Sequence, residues 1–264
     1  MASQSWAPGP ATFSRGHGTS ILPATQSAPS YPSAMVNSSD SRRAQDPGYR
    51  EAVVDLLAVL AYGELSAFER LCDDAALAPT LSDKAEIAAM ACAEFGHFQL
   101  LRGRLTELGA DPEAAMQPFV APLDAFHAST APADWLEGLV KAYVGDNIAA
   151  DFYREIAQHL DDETKDLVLA VFEDTGHSDF VVAKVRDAIA ADPRVGGRLA
   201  LWGRRLMGEA LSQAQRVAAE RDQLVGLLAG APGMPGVDLV ELSRMFTRLT
   251  EGHAKRMATL GLAS

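Results

Sequence analysis

Residues 93–98 read AEFGHF, and residues 173–178 read EDTGHS. Each segment places a carboxylate three residues before a histidine, Glu94 before His97 and Asp174 before His177, and a glycine directly before the histidine. Residues three apart lie on one face of an α-helix, so each pair can bind one ion. A single pair of this kind usually belongs to a solvated helix face. Two matching pairs favour a metal site.

Helical spacing of apolar residues extends over nearly the whole chain around these segments. Prolines and glycines mark the breaks, and no stretch shows the alternation or turn residues of a β-hairpin. Ser82 is a candidate N-cap of the second helix, and Asp161 or Asp162 of the fourth. The predicted helices span 48–75, 82–109, 133–160, 162–191, 198–229 and 237–260.

The lengths of the connections predict the topology. Short turns join the first and second helices and the third and fourth, while a proline-containing connection of about twenty residues separates the two pairs. This pattern predicts an all-α four-helix bundle with one long crossover over residues 48–194. A C-terminal helical hairpin, residues 195–264, is predicted to pack on it. Residues 1–47 hold six of the fourteen prolines and predict a disordered tail, with Met35 as a candidate alternative start.

Charge and composition limit the classes of function. The net charge of −12 is concentrated in residues 48–194, which carry −16, whereas residues 195–264 carry +3. An acidic body disfavours DNA and nonspecific nucleic-acid binding. Cys72 and Cys92 have no CxxC spacing, which predicts two small buried residues in a reducing cytoplasm. No apolar run is long enough to cross a membrane, and the first residues do not resemble a secretory signal.

A site for two metal ions in such a bundle needs one further acid on each partner helix. Two residues of an antiparallel hairpin lie at one level when they are equidistant from its turn. Glu64 meets this condition with Glu94, and Asp146 meets it with Asp174. Four glycines inside the predicted helices adjoin these residues or lie one position away, which indicates close helix approach or space for ions; they are Gly63, Gly96, Gly145 and Gly176.

Other assignments remain open at this point. Glu69 and Asp151 lie about one turn further along their helices and are rival acids, and Glu173 is spaced to pair with His177 instead of Asp174. Four histidines have no matched acidic partner and are interpreted as ordinary residues: His17, His127, His159 and His253.

The chain resembles the ferritin-like di-iron carboxylate superfamily, in which two helices each give a Glu and two give Glu-x-x-His. The stretches AYGELSAFERL, AEFGHFQLLRGRL, GLVKAYVGDNIAADFYREI and EDTGHSDFVVAKV are similar to its MiaE-like branch of tRNA hydroxylases over roughly residues 48–230. The resemblance implies two iron ions, with manganese as an alternative, and the use of O2 to hydroxylate a tRNA isopentenyl-adenosine or a small molecule. The ligands it implies are Glu64, Glu94, His97, Asp146, Asp174 and His177.

Two of these ligands, Asp146 and Asp174, depart from the Glu of the superfamily pattern. The shorter side chain reaches less far, so the second half of the site is expected to bind metal more weakly. Two other roles are kept as alternatives. One is a ferritin-like metal protein that handles peroxide or oxidises iron, and the other is a non-catalytic helical scaffold. A homodimer is left open.

The helix predicted over 198–229 bears on a tRNA substrate. A stripe of arginines and one aromatic residue falls within a narrow arc of this helix and suits an RNA loop; its members are Arg198, Trp202, Arg205 and Arg216. The alternative is an exposed face on which Arg205 pairs with Glu209. On another face, Leu199 and Leu206 are expected to be buried against the bundle.

Overall fold

The computed structural model describes residues 46–172, 177–229 and 239–263, and all regular structure in these ranges is helical. The all-α prediction is therefore confirmed, whereas nearly all of the predicted tail lies outside the described residues. The described helices are α1 (Pro47–Ala75), α2 (Leu81–Glu107), α3 (Pro112–Ser129), α4 (Trp135–Ala157), α5 (Asp162–Val171), α6 (His177–Ala191), α7 (Pro193–Glu220), α8 (Asp222–Ala229) and α9 (Leu239–Thr259).

Side-chain caps fix the starts of the bundle helices. Asp46 accepts hydrogen bonds from two backbone amides of α1, and Pro47 occupies the first turn, where its missing N–H costs little. Asp161 caps α5 by accepting from the Thr164 amide, so Asp161 rather than Asp162 is the N-cap of this helix. α2 is capped by Thr80 rather than Ser82, because the Thr80 hydroxyl accepts from the Asp83 amide.

The predicted crossover is itself helical. α3 runs through Pro118 and Pro122, so the prolines that were taken to mark a connection lie inside a helix that the sequence analysis did not predict. Asp111 caps this helix, and Phe119 is only 1% exposed where it packs into the core. Burial of that aromatic face offsets the backbone hydrogen bonds that the two prolines cannot make.

Two further helix boundaries differ from the prediction. The segment predicted as one helix over 162–191 contains α5 and α6, with residues 173–176 between them outside the described residues. α7 begins at Pro193 and passes through Gly196-Gly197, because Asp192 caps it and Pro193 suits its first position. It ends at Glu220, and α8 follows.

α1 is the central helix of the bundle. Its residues 56–61 are all buried, which shows that neighbouring elements cover it on every side. α4 runs antiparallel to α1, since the Tyr49 hydroxyl at the start of α1 donates to Asp161 beyond the end of α4 at 2.8 Å. At the opposite end, the Asp74 carboxyl lies against Gly138 near the start of α4.

α7 packs on this bundle as predicted, with Leu199 and Leu206 essentially buried. Cys72 and Cys92 are free but exposed, so their predicted burial was wrong; each lies on a solvent-facing side of its helix. None of the described helices is long and apolar enough to cross a membrane.

Candidate metal centre

Three of the predicted ligands meet between α1 and α2. The Nδ1 atom of His97 lies 3.4 Å from a carboxylate oxygen of Glu64 and 3.6 Å from one of Glu94. One ligand atom from each residue falls within 4.8 Å of the other two. The i,i+3 spacing brings Glu94 and His97 together on α2, and the turn after α1 returns the chain so that Glu64 faces them.

The environment of this cluster favours a cation. Glu64 is 6% exposed, and its Oε2 atom is buried without a hydrogen-bond partner among the described residues. Burial raises the pKa of the Glu64 carboxyl well above its usual range, and nearby Glu94 raises it further. The same two carboxylates raise the pKa of His97 to about 10. Without a metal, the cluster therefore holds a proton at neutral pH.

A transition-metal ion fits this donor set. Two carboxylates and an imidazole are ligands that suit iron, manganese or zinc. A divalent cation would replace the proton on His97, and it would coordinate the buried Oε2 atom of Glu64, which lies 3.4 Å from Nδ1 of His97 without forming a hydrogen bond. The residues present therefore fit the binding of one ion by Glu64, Glu94 and His97.

Two contacts between α1 and α4 indicate the level of Asp146. The Tyr49–Asp161 and Asp74–Gly138 contacts are two reference points between the antiparallel helices α1 and α4. Equal numbers of residues counted inward from them along both helices place Glu64 opposite residues 146–148 of α4. Asp146 lines the same cavity as Glu64, but the residue is exposed and is not part of the three-residue cluster.

The remaining two proposed ligands cannot be placed. Asp174 lies outside the described residues, as does its rival Glu173. The backbone of His177 begins α6, but its side chain is also outside the description. The second half of the six-ligand set therefore stays a prediction.

The rival acids on α1 and α4 have other partners. Glu69 is exposed and pairs with Arg70 at 3.6 Å. Asp151 pairs with Arg154 at 3.4 Å and more closely with Arg256, which ties α4 to α9. Both acids are thus engaged by arginines.

Three of the four interior glycines adjoin open space. Leaving aside adjacent residues and the helix's own backbone, no described atom lies within 4 Å of where a Cβ would be at Gly63, Gly96 or Gly145. Close helix approach is therefore the wrong explanation for these three, and free volume is the right one. Gly176 lies outside the described residues.

A partly open cavity of about 520 Å³ is lined by residues from each of the described helices and includes the metal-ligand cluster in its wall. It is called the α1–α4 cavity below because these two helices contribute the most lining residues. Most of its other lining is aliphatic or aromatic, including Leu56, Leu60, Phe152, Ile156, Met245 and Leu249. Its size falls in the range of small-molecule sites. Sequence reasoning missed this cavity, although the interior glycines were a signal of it.

Two cavity residues were also missed by sequence reasoning. Tyr153 stacks on Phe172 with ring centroids 5.5 Å apart, and burial together with the charge of Glu64 raises the pKa of its phenol. The phenol therefore stays protonated. Lys141 lines the cavity near the Asp74 end and is 8% exposed.

The arginine–aromatic stripe on α7 lies at the edge of the contact with the bundle, because its three arginines are exposed and only Trp202 is buried. Trp202 is buried and donates from Nε1 to the Glu137 carbonyl at 2.9 Å. Arg198 pairs with Asp134 at 2.7 Å, and Arg205 donates to the Ser129 carbonyl at 2.6 Å. These contacts link α7 to the end of α3 and to the start of α4.

The alternative interpretation, an exposed face, is confirmed for the three arginines but not for the predicted ion pair. Arg216 is exposed, and no ion pair joins Arg205 to Glu209 in the described part of the chain. Glu209 instead accepts from the Ser129 hydroxyl at 3.3 Å.

Comparison with known proteins agrees with this architecture. The family model described as "Ferritin-like domain, actinomycetes" matches residues 47–231, which is more than two thirds of the chain. The chain therefore belongs to this ferritin-like family. A search of curated proteins found no significant match.

Proposed function

We propose that this ferritin-like protein is a di-metal oxygenase that uses O2 to hydroxylate an organic substrate held in the α1–α4 cavity. Glu64, Glu94 and His97 would hold one ion. Asp146, Asp174 and His177 would hold the second. The observation that carries the proposal is the position of the carboxylate–imidazole cluster in the wall of a largely apolar cavity.

When bound, a pair of iron ions would supply the capacity to reduce O2 and to oxidise an unactivated carbon, with manganese as the alternative metal. The chain's own residues perform the other tasks. His97 releases its proton when it becomes a ligand. The largely apolar wall would place a hydrocarbon group beside the cluster, and Tyr153 keeps its phenolic proton as a donor inside the cavity.

The resemblance to tRNA hydroxylases implies one particular candidate substrate, the isopentenyl group of a tRNA adenosine. The apolar cavity is compatible with such a group. However, Trp202, the aromatic member of the stripe that would dock the RNA, is buried and cannot stack on a base. Arg198 and Arg205 are exposed but are engaged by Asp134 and by the Ser129 carbonyl. A small apolar substrate is therefore favoured, and tRNA is kept as an outcome of the test.

Iron oxidation or peroxide handling is the second candidate. The specific observation in its favour is the charge of −16 on residues 48–194, which attracts cations. This role predicts repeated oxidation of excess Fe(II) without an organic substrate, whereas the oxygenase predicts oxygen insertion into one.

The test loads the protein with Fe(II) anaerobically and adds O2 together with a small-molecule extract or tRNA from a deletion strain. Mass spectrometry then searches for products that have gained one oxygen atom from isotopically labelled O2. We expect such a product with the parent and with His159→Ala, but not with His97→Ala. Labelled product in modified tRNA nucleosides alone would identify RNA as the substrate. Excess Fe(II) oxidation without any labelled product would favour the second candidate, and no bound metal would favour a non-catalytic scaffold.

A further inference from the structure

Gln213 is a polar residue in the buried, otherwise apolar stripe of α7. It follows Leu199 and Leu206 at intervals of seven residues, which places all three on the face that packs on the bundle. Gln213 is 7% exposed and lines the cavity, and its Nε2 atom is buried without a hydrogen-bond partner among the described residues. A buried amide without a partner lowers the free energy of unfolding. Gln213 is therefore a candidate contact for a molecule bound in the cavity.

The packing of α7 against α3 fixes the level of Gln213 along the bundle. At the end of α3, the Ser129 hydroxyl donates to Glu209 of α7 at 3.3 Å. Further along α7, the Arg221 guanidinium lies 5.2 Å from the ring centre of Phe119, which precedes Ser129 on α3. The two helices are therefore antiparallel. Gln213, one turn after Glu209, is level with the α3 residues one turn before Ser129.

Two contacts between α1 and α3 relate this level to the metal-ligand cluster. The Tyr62 hydroxyl donates to Asp124 at 2.7 Å, and Ser66 Oγ lies 3.1 Å from His127 Nε2. Glu64 lies midway between Tyr62 and Ser66, so it is level with the α3 segment between the two contacts. This segment lies about one turn before the end of α3 and is also level with the carboxamide on α7. The buried carboxamide and the metal ligand on α1 thus lie at one level.

His127 offers a second unpaired polar atom close to this level. The Ser66 hydroxyl donates to the Gly63 carbonyl at 2.9 Å, so it accepts from His127, which assigns the ring proton to Nε2. Burial lowers the pKa of His127 to about 4, so the ring carries only this proton at physiological pH. Its Nδ1 atom is then an acceptor, and it is buried without a partner among the described residues. Along the helix axes, His127 lies about 3 Å from the level of Gln213.

The charged groups in this part of the cavity favour a neutral ligand. Burial raises the pKa of Asp74 to about 6 and lowers that of Lys141 to about 8, so both are ionised at neutral pH and carry opposite charges. The Arg70 guanidinium pairs with Glu69 and Asp73 on the outer side of α1. The positive charges here are thus offset by carboxylates, and an uncharged polar group suits the unpaired donor and acceptor better than an anion does.

We propose that Gln213 and His127 bind the hydroxyl group of an alcohol substrate, which accepts from Nε2 of Gln213 and donates to Nδ1 of His127. Rotation about the last side-chain bond lets the carboxamide turn its N–H donors toward the cavity. The unbranched apolar chain of the alcohol lies against the apolar part of the wall, which includes Phe152 and Ile156. The role of the alcohol as a substrate rests on the proposed function, but its binding can be tested without metal.

The test is isothermal titration of the metal-free full chain with 1-octanol and with its isomer methyl heptyl ether, which accepts a hydrogen bond but cannot donate one. We expect the parent to bind octanol at least about tenfold more tightly than the ether, or about 1.4 kcal/mol, because only the alcohol donates to His127. His127→Phe should remove this preference. Gln213→Met should keep the preference but weaken both ligands by about tenfold. Gln99→Met, at an exposed glutamine of α2, is the matched control and should bind both as the parent does.

Urea unfolding separates a ligand contact from a structural role. Because Nε2 of Gln213 has no partner among the described residues, Gln213→Met should raise the urea midpoint of the metal-free protein. A lower midpoint would show that the amide is bonded within the fold and would overturn the proposal. Equal binding of octanol and the ether by the parent would overturn it without any variant. Tighter binding of octanoate than of octanol would overturn the choice of an uncharged group.

The two proposals fail separately. His97→Ala should lose metal and product formation but should bind octanol as the parent does. Oxygen insertion into another substrate, without a preference for octanol over the ether, would overturn only the alcohol proposal. A preference for octanol in a protein that binds no metal would overturn only the proposed oxygenase.

Discussion

Replacing Gly63 with alanine should stabilise the protein, although Gly63 directly precedes a proposed metal ligand. Gly63 lies inside α1, where glycine costs about 0.5–1 kcal/mol relative to alanine. The added methyl group would meet no described atom within 4 Å, apart from adjacent residues and the helix's own backbone. The gain should therefore be realised almost in full, as about 0.5–1 kcal/mol in the free energy of unfolding.

Gly252 in α9 provides the opposite case. A Cβ there would lie 2.7 Å from a carboxylate oxygen of Asp151 and 3.3 Å from the Arg256 guanidinium. Gly252→Ala should displace this ion pair and destabilise the protein by about 1–3 kcal/mol. Urea unfolding of the metal-free proteins measures both changes. A loss of stability of about 1 kcal/mol or more in Gly63→Ala would refute the reasoning, because it would show that the helices are tightly packed at the candidate site.

Three further predictions concern pH and hydrogen bonding. Burial lowers the pKa of His127 to about 4, so the folded state binds fewer protons than the unfolded state between about pH 4 and 6.5. The parent should therefore lose up to about 3 kcal/mol relative to His127→Gln as the pH falls through this window, and parallel stability curves would refute this. The apparent affinity for metal should rise with pH below about 10, since His97 must release its proton to bind the ion. Equilibrium metal titration at several pH values checks this, and an affinity that does not change with pH would refute it. Tyr49→Phe should cost about 2 kcal/mol because it breaks the partly buried hydrogen bond to the Asp161 carboxylate. Tyr62→Phe, at an exposed hydrogen bond to Asp124, should cost under about 0.5 kcal/mol, and equal losses in urea unfolding would contradict this assignment.

The fold was predictable because the information is local. Helical periodicity, prolines and capping residues mark most helices without knowledge of their neighbours. α3 was missed because Pro118 and Pro122 predict a loop, and only the tertiary burial of Phe119 shows why a helix forms there. α3 is still long enough to return the chain along the bundle, so the predicted topology holds.

The candidate site was predictable where helix geometry alone decides it. The i,i+3 spacing brings Glu94 and His97 together, and equidistance from the turn places Glu64 beside them. The spacing of residues along a helix does not show which neighbouring elements each face of that helix contacts. Trp202 shares an arc with exposed arginines but is buried against α4, and the cavity around Lys141 depends on how far apart α1 and α4 lie.

The metal content of the purified protein tests the central claim most directly. Protein loaded with Fe(II) under anaerobic conditions and freed of excess metal is analysed for iron per chain, alongside His97→Ala, His177→Ala and the control His159→Ala. The proposed site predicts about two ions in the parent and in the control, with a larger loss in His97→Ala than in His177→Ala because the first half keeps both Glu ligands. The same iron content in the parent and in His97→Ala would contradict the assignment of a metal centre to Glu64, Glu94 and His97.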